Sequence, residues 1–361
     1  MATLDELRRE VRDINGEILQ LIRKRLEITE KIGKEKKKKG IPLKNWEVEK
    51  EVIEDAEKTA RRIGLSSSLA KRIMQPLIEE SCIQQEKLHY SACAENKEHI
   101  LMIGGAGGMG TWFSSFFQNQ GHDVLIYDTK GDIGPFKSVS SLEKGLPLAT
   151  CIFIATPIDT ISEVIQQLIH LNYPGLVVDI SSVKGHLTET FKKAVKAGLC
   201  LTSIHPMFGP QAQTLSDKVL CICDCGNDKA NKKAEGFFKS TALRLVRFSL
   251  GEHDQMISYI LGLSHFLNIL FMKILSESPF SLSRLEQLVS PTFLSQLQTA
   301  VKVIYEDPSL YYAIQSFNPF KDTLYQDIRR DADDLIKCVE QNQRDKFIGI
   351  VEKCRDWLHQ S

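Results

Sequence analysis

The chain has 361 residues, 42% of them hydrophobic and 25% charged, with a formal net charge of zero. That length exceeds what one hydrophobic core covers, so two or three domains are expected. The even charge balance supplies no field for nucleic acid or for a cationic partner, and neither is expected.

The first segment, residues 1–90, is predicted to be all-helical. Leu4, Leu7, Val11, Ile14, Ile18 and Leu21 form a heptad pattern that Ile28 and Ile32 resume, so one helix should run from about Leu4 to Lys39. At about 1.5 Å per residue it would be roughly 54 Å long. Its short neighbours cannot cover such a stripe, and a homodimer is expected. The Lys34 to Lys39 run, broken by Glu35, reads mainly as a solvated helix end. Gly40 and Pro42 should end this helix. Asn45 can cap a second one, running to about Arg62 and closed by Gly64. Ser66 to Ser68 should open a third that reaches about Tyr90, with Pro76 kinking it or marking its true start.

Residues 91–97 are small and polar, as in a linker. Apolar runs then alternate with helical stretches: His99 to Ile103, Asp123 to Tyr127, Cys151 to Ala155, Leu176 to Ile180, Leu199 to Ile204 and Val219 to Cys223. Such alternation predicts a parallel sheet covered by helices. Beyond about Leu250 the pattern is helical again, near 251–276, 281–305, 308–316, 320–340 and up to 359. The uncharged stretch from Gln255 to Met272 is interrupted by Ser, Gly, His and Asn, and is expected to be a buried helix rather than a membrane span. The N-terminus, Met-Ala-Thr-Leu-Asp-Glu, does not read as a signal peptide. Nine scattered cysteines lack metal-ligand pairing, and Cys221, Cys223 and Cys225 would share one strand face. A reducing, cytoplasmic setting without a metal follows.

Gly105, Gly107 and Gly110 have the G-x-G-x-x-G spacing directly after an apolar strand and before a helix. That spacing gives a tight turn, a close backbone approach to pyrophosphate and helix amides aimed at its charge. A second strand ends at Asp128, 18 residues after the last glycine. Its carboxylate suits the ribose hydroxyls of NAD and would repel the 2′-phosphate of NADP. Thr156 follows the third strand, where such sheets line the cofactor crevice. The architecture expected is an all-α N-terminal domain (1–90), an α/β Rossmann domain (98–250) and an all-α C-terminal domain (251–361).

Two further strand ends carry polar clusters, Asp179 to Gly185 and His205 to Pro210. Oxidising an alcohol needs a base for the hydroxyl proton while hydride departs; His205 can serve, and a serine hydroxyl can orient its ring. Ile103 to Gly110, Ser182-Val183-Lys184 and His205 to Pro210 together resemble prephenate dehydrogenase. Glu252 to Gln255, Ser264-His265-Phe266 and Glu306 to Tyr311 extend the likeness over nearly the whole segment. The resemblance implies that His205 accepts the ring 4-hydroxyl proton, that Ser182 orients it, and that Lys184 and His265 bind substrate. It also implies that the C-terminal helices serve dimerisation, and that aromatisation drives loss of CO₂ without metal or acid. One departure stands out: where relatives carry a carboxylate-binding arginine after Ser290-Pro291, this chain has Leu294. Arg284 or a residue of the partner chain must substitute, or the substrate differs.

In the first domain Arg25 occupies a core slot of the heptad, which implies an anionic partner. Lys36, 11 residues on, lies about 20° away around the helix. Ser81 and Gln85 continue the apolar register of Met74, Leu77 and Ile78. Two cations and two neutral donors describe a pocket for a small polyanion, although an ion pair with Glu49 would also satisfy Arg25. Residues 4 to 88 resemble the all-helical chorismate mutases. That resemblance implies that Arg8 and Arg25 hold carboxylates, that Lys36 and Gln85 meet the ether oxygen, and that Glu49 and Ser81 contact the hydroxyl and a carboxylate. Arg8 lies roughly 25 Å along the helix from Arg25, so it would serve the other subunit's site. Asn45 and Val48 depart from the usual acid and arginine, which predicts reduced mutase efficiency. The function expected is conversion of chorismate to prephenate and its NAD-dependent oxidative decarboxylation. The rival readings are a dehydrogenase for arogenate or another hydroxy acid, and N-terminal helices that act only in dimerisation.

Overall fold

A computed structural model describes residues 3–39, 46–90, 97–131 and 134–360. The expected helix stop at Gly40 and Pro42, the Asn45 cap and most of the 91–97 linker lie outside the described residues. The chain divides into two compact units, residues 1–181 with 190–248, and residues 182–189 with 249–361.

The first unit begins with three helices, α1 (Leu4–Lys38), α2 (Trp46–Arg62) and α3 (Ser67–Tyr90). Pro76 lies inside α3 and does not mark its start. Packing of α3 against α1 and α2 holds it helical across the lost backbone bond, as tertiary burial overrides local propensity. The α1 stripe is open to solvent along its length, from Leu4 at 63% to Ile32 at 45% exposure.

An eight-stranded sheet follows, in the order β3-β2-β1-β4-β5-β6-β7-β8. Its strands are β1 (His99–Ile103), β2 (Asp123–Tyr127), β3 (Lys137–Ser138), β4 (Cys151–Ile154), β5 (Leu176–Asp179), β6 (Cys200–Pro206), β7 (Val219–Asp224) and β8 (Arg244–Ser249). The intervening helices are α4 (Gly108–Asn119), α5 (Leu142–Gly145), α6 (Ile161–His170), α7 (Thr188–Lys196) and α8 (Asp228–Gly236). Strands β3 to β6 in that order pair in parallel, but β7 runs antiparallel to β6. The all-parallel expectation therefore fails at this edge, because a loop rather than a crossover helix joins β6 to β7. The short β3 and the half-buried β8 escaped the hydrophobic pattern because edge strands need no continuous apolar run. Central strands do: β4 is buried at every residue, as expected where helices cover both faces. Phe113, Phe117, Phe153 and Phe238 pack together between α4, the sheet and the α8 end. Strand β1 lies between β2 and β4, so chain connections diverge there and leave a crevice at the carboxyl ends.

The second unit is helical: α9 (Leu250–Ile257), a π-helical turn (Ser258–Leu263), α10 (Ser264–Ser276), α11 (Leu282–Leu285), α12 (Pro291–Ile304), α13 (Pro308–Phe317), α14 (Lys321–Glu340) and α15 (Arg344–His359). The span Leu250–Ser276 is long and apolar enough to cross a membrane by composition. One chain does not bury this helix, since Tyr259, Ile260, Leu267 and Ile274 are exposed.

Candidate functional sites

In the helical domain Arg25 is half-buried and donates to the Leu77 carbonyl at 2.7 Å and to Ser81 Oγ at 2.6 Å. Ser81 Oγ in turn donates to Leu77 O. No carboxylate meets Arg25 among the described residues; Glu49 instead lies beside Cys82, with Sγ 3.8 Å from its Oε1. Burial lowers the Arg25 pKa without neutralising a guanidinium. The intradomain ion pair is thus absent, and a desolvated cation faces neutral acceptors. Gln85 is buried on the same side of α3 and lies over Gly33 of α1, where a Cβ would sit 2.7 Å from its Cγ. The reading of the sequence missed Gly33; its signal was a glycine inside a helix, costly unless something approaches closely. Lys36, one turn further along α1, is partly buried. Arg8 is exposed and pairs with Asp5 at 3.5 Å, well away from Arg25 along α1. Val48 is exposed.

At the sheet's crevice, the turn after β1 is formed around Gly104, whose φ of +82° suits glycine. A Cβ there would lie 2.7 Å from the Ala155 carbonyl carbon. This glycine, just outside the spaced triplet, was missed because backbone sign is not legible in a glycine-rich run. Gly105 sits against Ile126, Gly107 precedes the first turn of α4, and Gly110 is pressed against Gly104 O. Asp128 closes the turn: its Oδ2 accepts from Ala106 N and its Oδ1 from Lys130 N, both at 2.9 Å. Thr156 Oγ1 is buried without a hydrogen-bond partner among the described residues. A backbone cradle that side chains would fill, a carboxylate at its rim and an unsatisfied hydroxyl fit a dinucleotide's pyrophosphate and ribose.

His205 is 4% exposed near the end of β6, opposite Cys221 of β7. Parallel pairing sets Asp179 of β5 beside Ser203 of β6, so both polar clusters emerge at one edge. Asp179 is fully buried and accepts from Ser203 Oγ at 2.6 Å, Ser181 Oγ at 2.9 Å and Ser181 N at 3.1 Å. That organising carboxylate went unassigned in the sequence because a strand-end aspartate usually faces solvent.

Ser182 and Lys184 belong to the second unit. The Lys184 and Gly185 amides donate to the buried Asp254 carboxylate, which also pairs with His253 Nδ1 at 2.8 Å. The Lys184 side chain is wholly buried. His265 stacks on Tyr311 with ring centres 4.1 Å apart, and its buried Nδ1 has no hydrogen-bond partner among the described residues. Burial pushes its pKa down, favouring the neutral ring. Leu294 is partly exposed, and the exposed Arg284 bonds Gln287.

Residues 7–86 match the type II chorismate mutase family. Residues 135–245 match the prephenate dehydrogenase nucleotide-binding domain, and 249–353 its dimerization domain. The T-protein of Haemophilus influenzae is 25% identical over 99% of this chain and 93% of its own length. That of Enterobacter agglomerans is 26% identical over 99% and 94%. Among solved structures, a prephenate dehydrogenase from A. aeolicus, in complex with hydroxyphenyl propionate and NAD+, superposes with a TM-score of 0.61. It is 15% identical and covers 74% of this chain and 99% of that one. The Synechocystis arogenate dehydrogenase gives 0.55 at 17% identity, covering 72% and 98%. At such identities these structures speak for the fold. The three consecutive domain matches and the end-to-end T-protein likeness decide the family: the chain belongs to the bifunctional enzymes that join a type II chorismate mutase to a prephenate dehydrogenase.

Proposed function

We propose that this chain carries out two consecutive steps of tyrosine biosynthesis, rearranging chorismate to prephenate and oxidatively decarboxylating prephenate with NAD. The observation that carries the reading is a pair of separate clusters, Arg25 bonded to Ser81 in the helices and the glycine turn closed by Asp128 at the sheet's edge.

In the first step an ether C–O bond breaks as a C–C bond forms, and no proton moves. Arg25 and Ser81 hold a carboxylate, Lys36 and Gln85 face the ether oxygen, and Glu49 receives the hydroxyl end. Such a pocket selects the compact conformer and stabilises negative charge at the breaking bond. The exposed α1 stripe supports a homodimer in which Arg8 enters the partner's pocket.

For the second step, bound NAD supplies the hydride acceptor. The glycine turn holds the pyrophosphate, Asp128 the ribose hydroxyls, and Thr156 offers its unsatisfied hydroxyl to the cofactor. His205 takes the ring hydroxyl proton with Ser182 orienting it, while Lys184 and His265 position the substrate. As hydride leaves and His205 holds the hydroxyl proton, the electrons of the departing carboxylate aromatise the ring, and the proton returns to its oxygen, giving CO₂ and 4-hydroxyphenylpyruvate. The eight described cysteines are free thiols, which supports a cytoplasmic setting.

Leu294 favours one second reading, arogenate as the dehydrogenase substrate, because arogenate makes different demands on the side chain that the missing arginine would have met. A paired assay tests both readings: chorismate consumption, and NAD reduction with prephenate or arogenate. Mutase turnover with faster NAD reduction on prephenate supports the main reading. Preference for arogenate selects the second, and no mutase turnover leaves the N-terminal helices as a dimerisation module.

A further inference from the structure

Glu86 follows Gln85 on α3 but, one residue on, points about 100° away around the helix. It is 2% exposed. Its carboxylate accepts three hydrogen bonds from the loop joining β6 to β7: Leu215 N to Oε2 at 2.7 Å, Ser216 N to Oε1 at 2.9 Å and Thr214 Oγ1 to Oε1 at 3.0 Å. Thr214 Oγ1 also accepts from Ser216 N, so the loop closes around the carboxylate. A buried carboxylate is costly unless such donors replace its water.

The same loop begins two residues after His205, and its other end is held at the nucleotide turn. Pro210 sits where a Cβ on Gly108 would come within 3.0 Å of its ring. Trp112 of α4 donates to Ala212 O at 3.1 Å and packs on Phe208 with centres 5.0 Å apart. One segment of about a dozen residues is therefore anchored at the first turn of α4 and, at its far end, on a carboxylate from the mutase's third helix. An exposed ion pair contributes little and leaves the backbone free. A carboxylate receiving backbone amides instead fixes the path of the loop itself.

We propose that Glu86 is a positioning residue for the dehydrogenase, supplied by the helix that also carries the mutase's Ser81 and Gln85. By fixing the loop at Thr214 to Ser216 it keeps Phe208 and Pro210 against the pyrophosphate turn, and so sets the affinity for NAD. This rests on the dinucleotide reading of that turn.

The test uses the full chain with Glu86→Gln. The new carboxamide keeps the shape and one acceptor, but its NH₂ would oppose the Leu215 amide or its neighbours. The expected result is a rise of about tenfold in both KM and Kd for NAD, as loss of one charge-assisted hydrogen bond allows. Dehydrogenase kcat and mutase kcat/KM should stay within a few-fold. Thr214→Val should raise the same constants by less, and the double variant should be no worse than Glu86→Gln alone. A folded Glu86→Gln with wild-type NAD affinity, or with reduced kcat at unchanged KM, overturns the proposal. Should Glu86→Gln fail to fold, unchanged NAD affinity in Thr214→Val overturns it. A wild-type protein that does not bind NAD, measured by calorimetric titration, would instead remove the dinucleotide reading.

Discussion

Two side chains near the sites carry predictions of their own. Asp128 stands at the rim of the glycine turn with both oxygens already engaged by backbone amides, so it is held in place before any ribose arrives. A fixed carboxylate discriminates against a 2′-phosphate by like-charge repulsion. Asp128→Ser should narrow the preference for NAD over NADP by about tenfold or more in kcat/KM. Equal use of both cofactors by the wild type would show that Asp128 is not the ribose ligand. His265 carries the second. Its pKa is lowered by burial, so both folded and unfolded chains leave it neutral above the ordinary histidine range. As pH falls below about 6.5 the unfolded chain takes up a proton that the folded one resists, and stability declines until the folded value is passed. His265→Asn should therefore lose less melting temperature than the wild type between pH 7 and pH 5. His122, lowered chiefly by burial as well, contributes equally to both proteins.

Among the elements, α1 decides most. Its heptad residues from Leu4 to Ile32 stay exposed in a single chain, with Ile14 at 47% and Ile18 at 49%, although Arg25 in the same stripe meets α3. A helix whose apolar stripe its own chain covers only in part is built to pair. Ile14→Glu with Ile18→Glu puts charge into that seam. Mutase activity should fall by at least about tenfold, since each charge buried without a partner is costly and the partner's Arg8 would be withdrawn. Dehydrogenase activity should stay within a few-fold, because the second apolar face, on Leu250–Ser276, lies in the other unit. An unchanged mutase rate in the folded double variant would remove Arg8 from the partner's pocket. On α3, by contrast, Pro76 mattered less than its sequence suggested, because packing on both neighbours carries the helix through.

For the whole molecule, the central expectation is that the two chemistries separate by single substitutions. Arg25→Ala removes a contact to developing charge, which typically costs about 10²–10³ in rate. His205→Asn removes a proton acceptor, which typically costs about 10²–10⁴. Each variant should lose one activity by those factors and keep the other within a few-fold, with an unchanged melting profile. Both activities falling together in a folded variant would mean a shared site. Separation should be cleaner for His205, since Arg25 also bonds the α3 backbone. Wild-type protein should scatter light as a dimer at micromolar concentration, with a stable monomer counting against both apolar faces as interfaces.

The sequence by itself determined what repeats or abuts along the chain. The heptad of α1, the buried runs of β1, β4 and β5, the glycine spacing and the Asp128 strand end are all local patterns imposed by helical or strand period. Arg25 was legible for the same reason, as a charge breaking its own stripe. Only the tertiary structure decided which distant groups meet. It gave Arg25 the Leu77 carbonyl and Ser81 rather than the alternative Glu49, because α3 presents those acceptors at hydrogen-bond distance. It reversed β7, added the edge strands β3 and β8, and left the 250–276 helix uncovered by its own chain. It gave Asp179 its serines and Glu86 its loop, pairings across 24 and about 130 residues that no local pattern encodes. A polar residue's identity says that it needs a partner; the fold alone says which one lies within three ångströms.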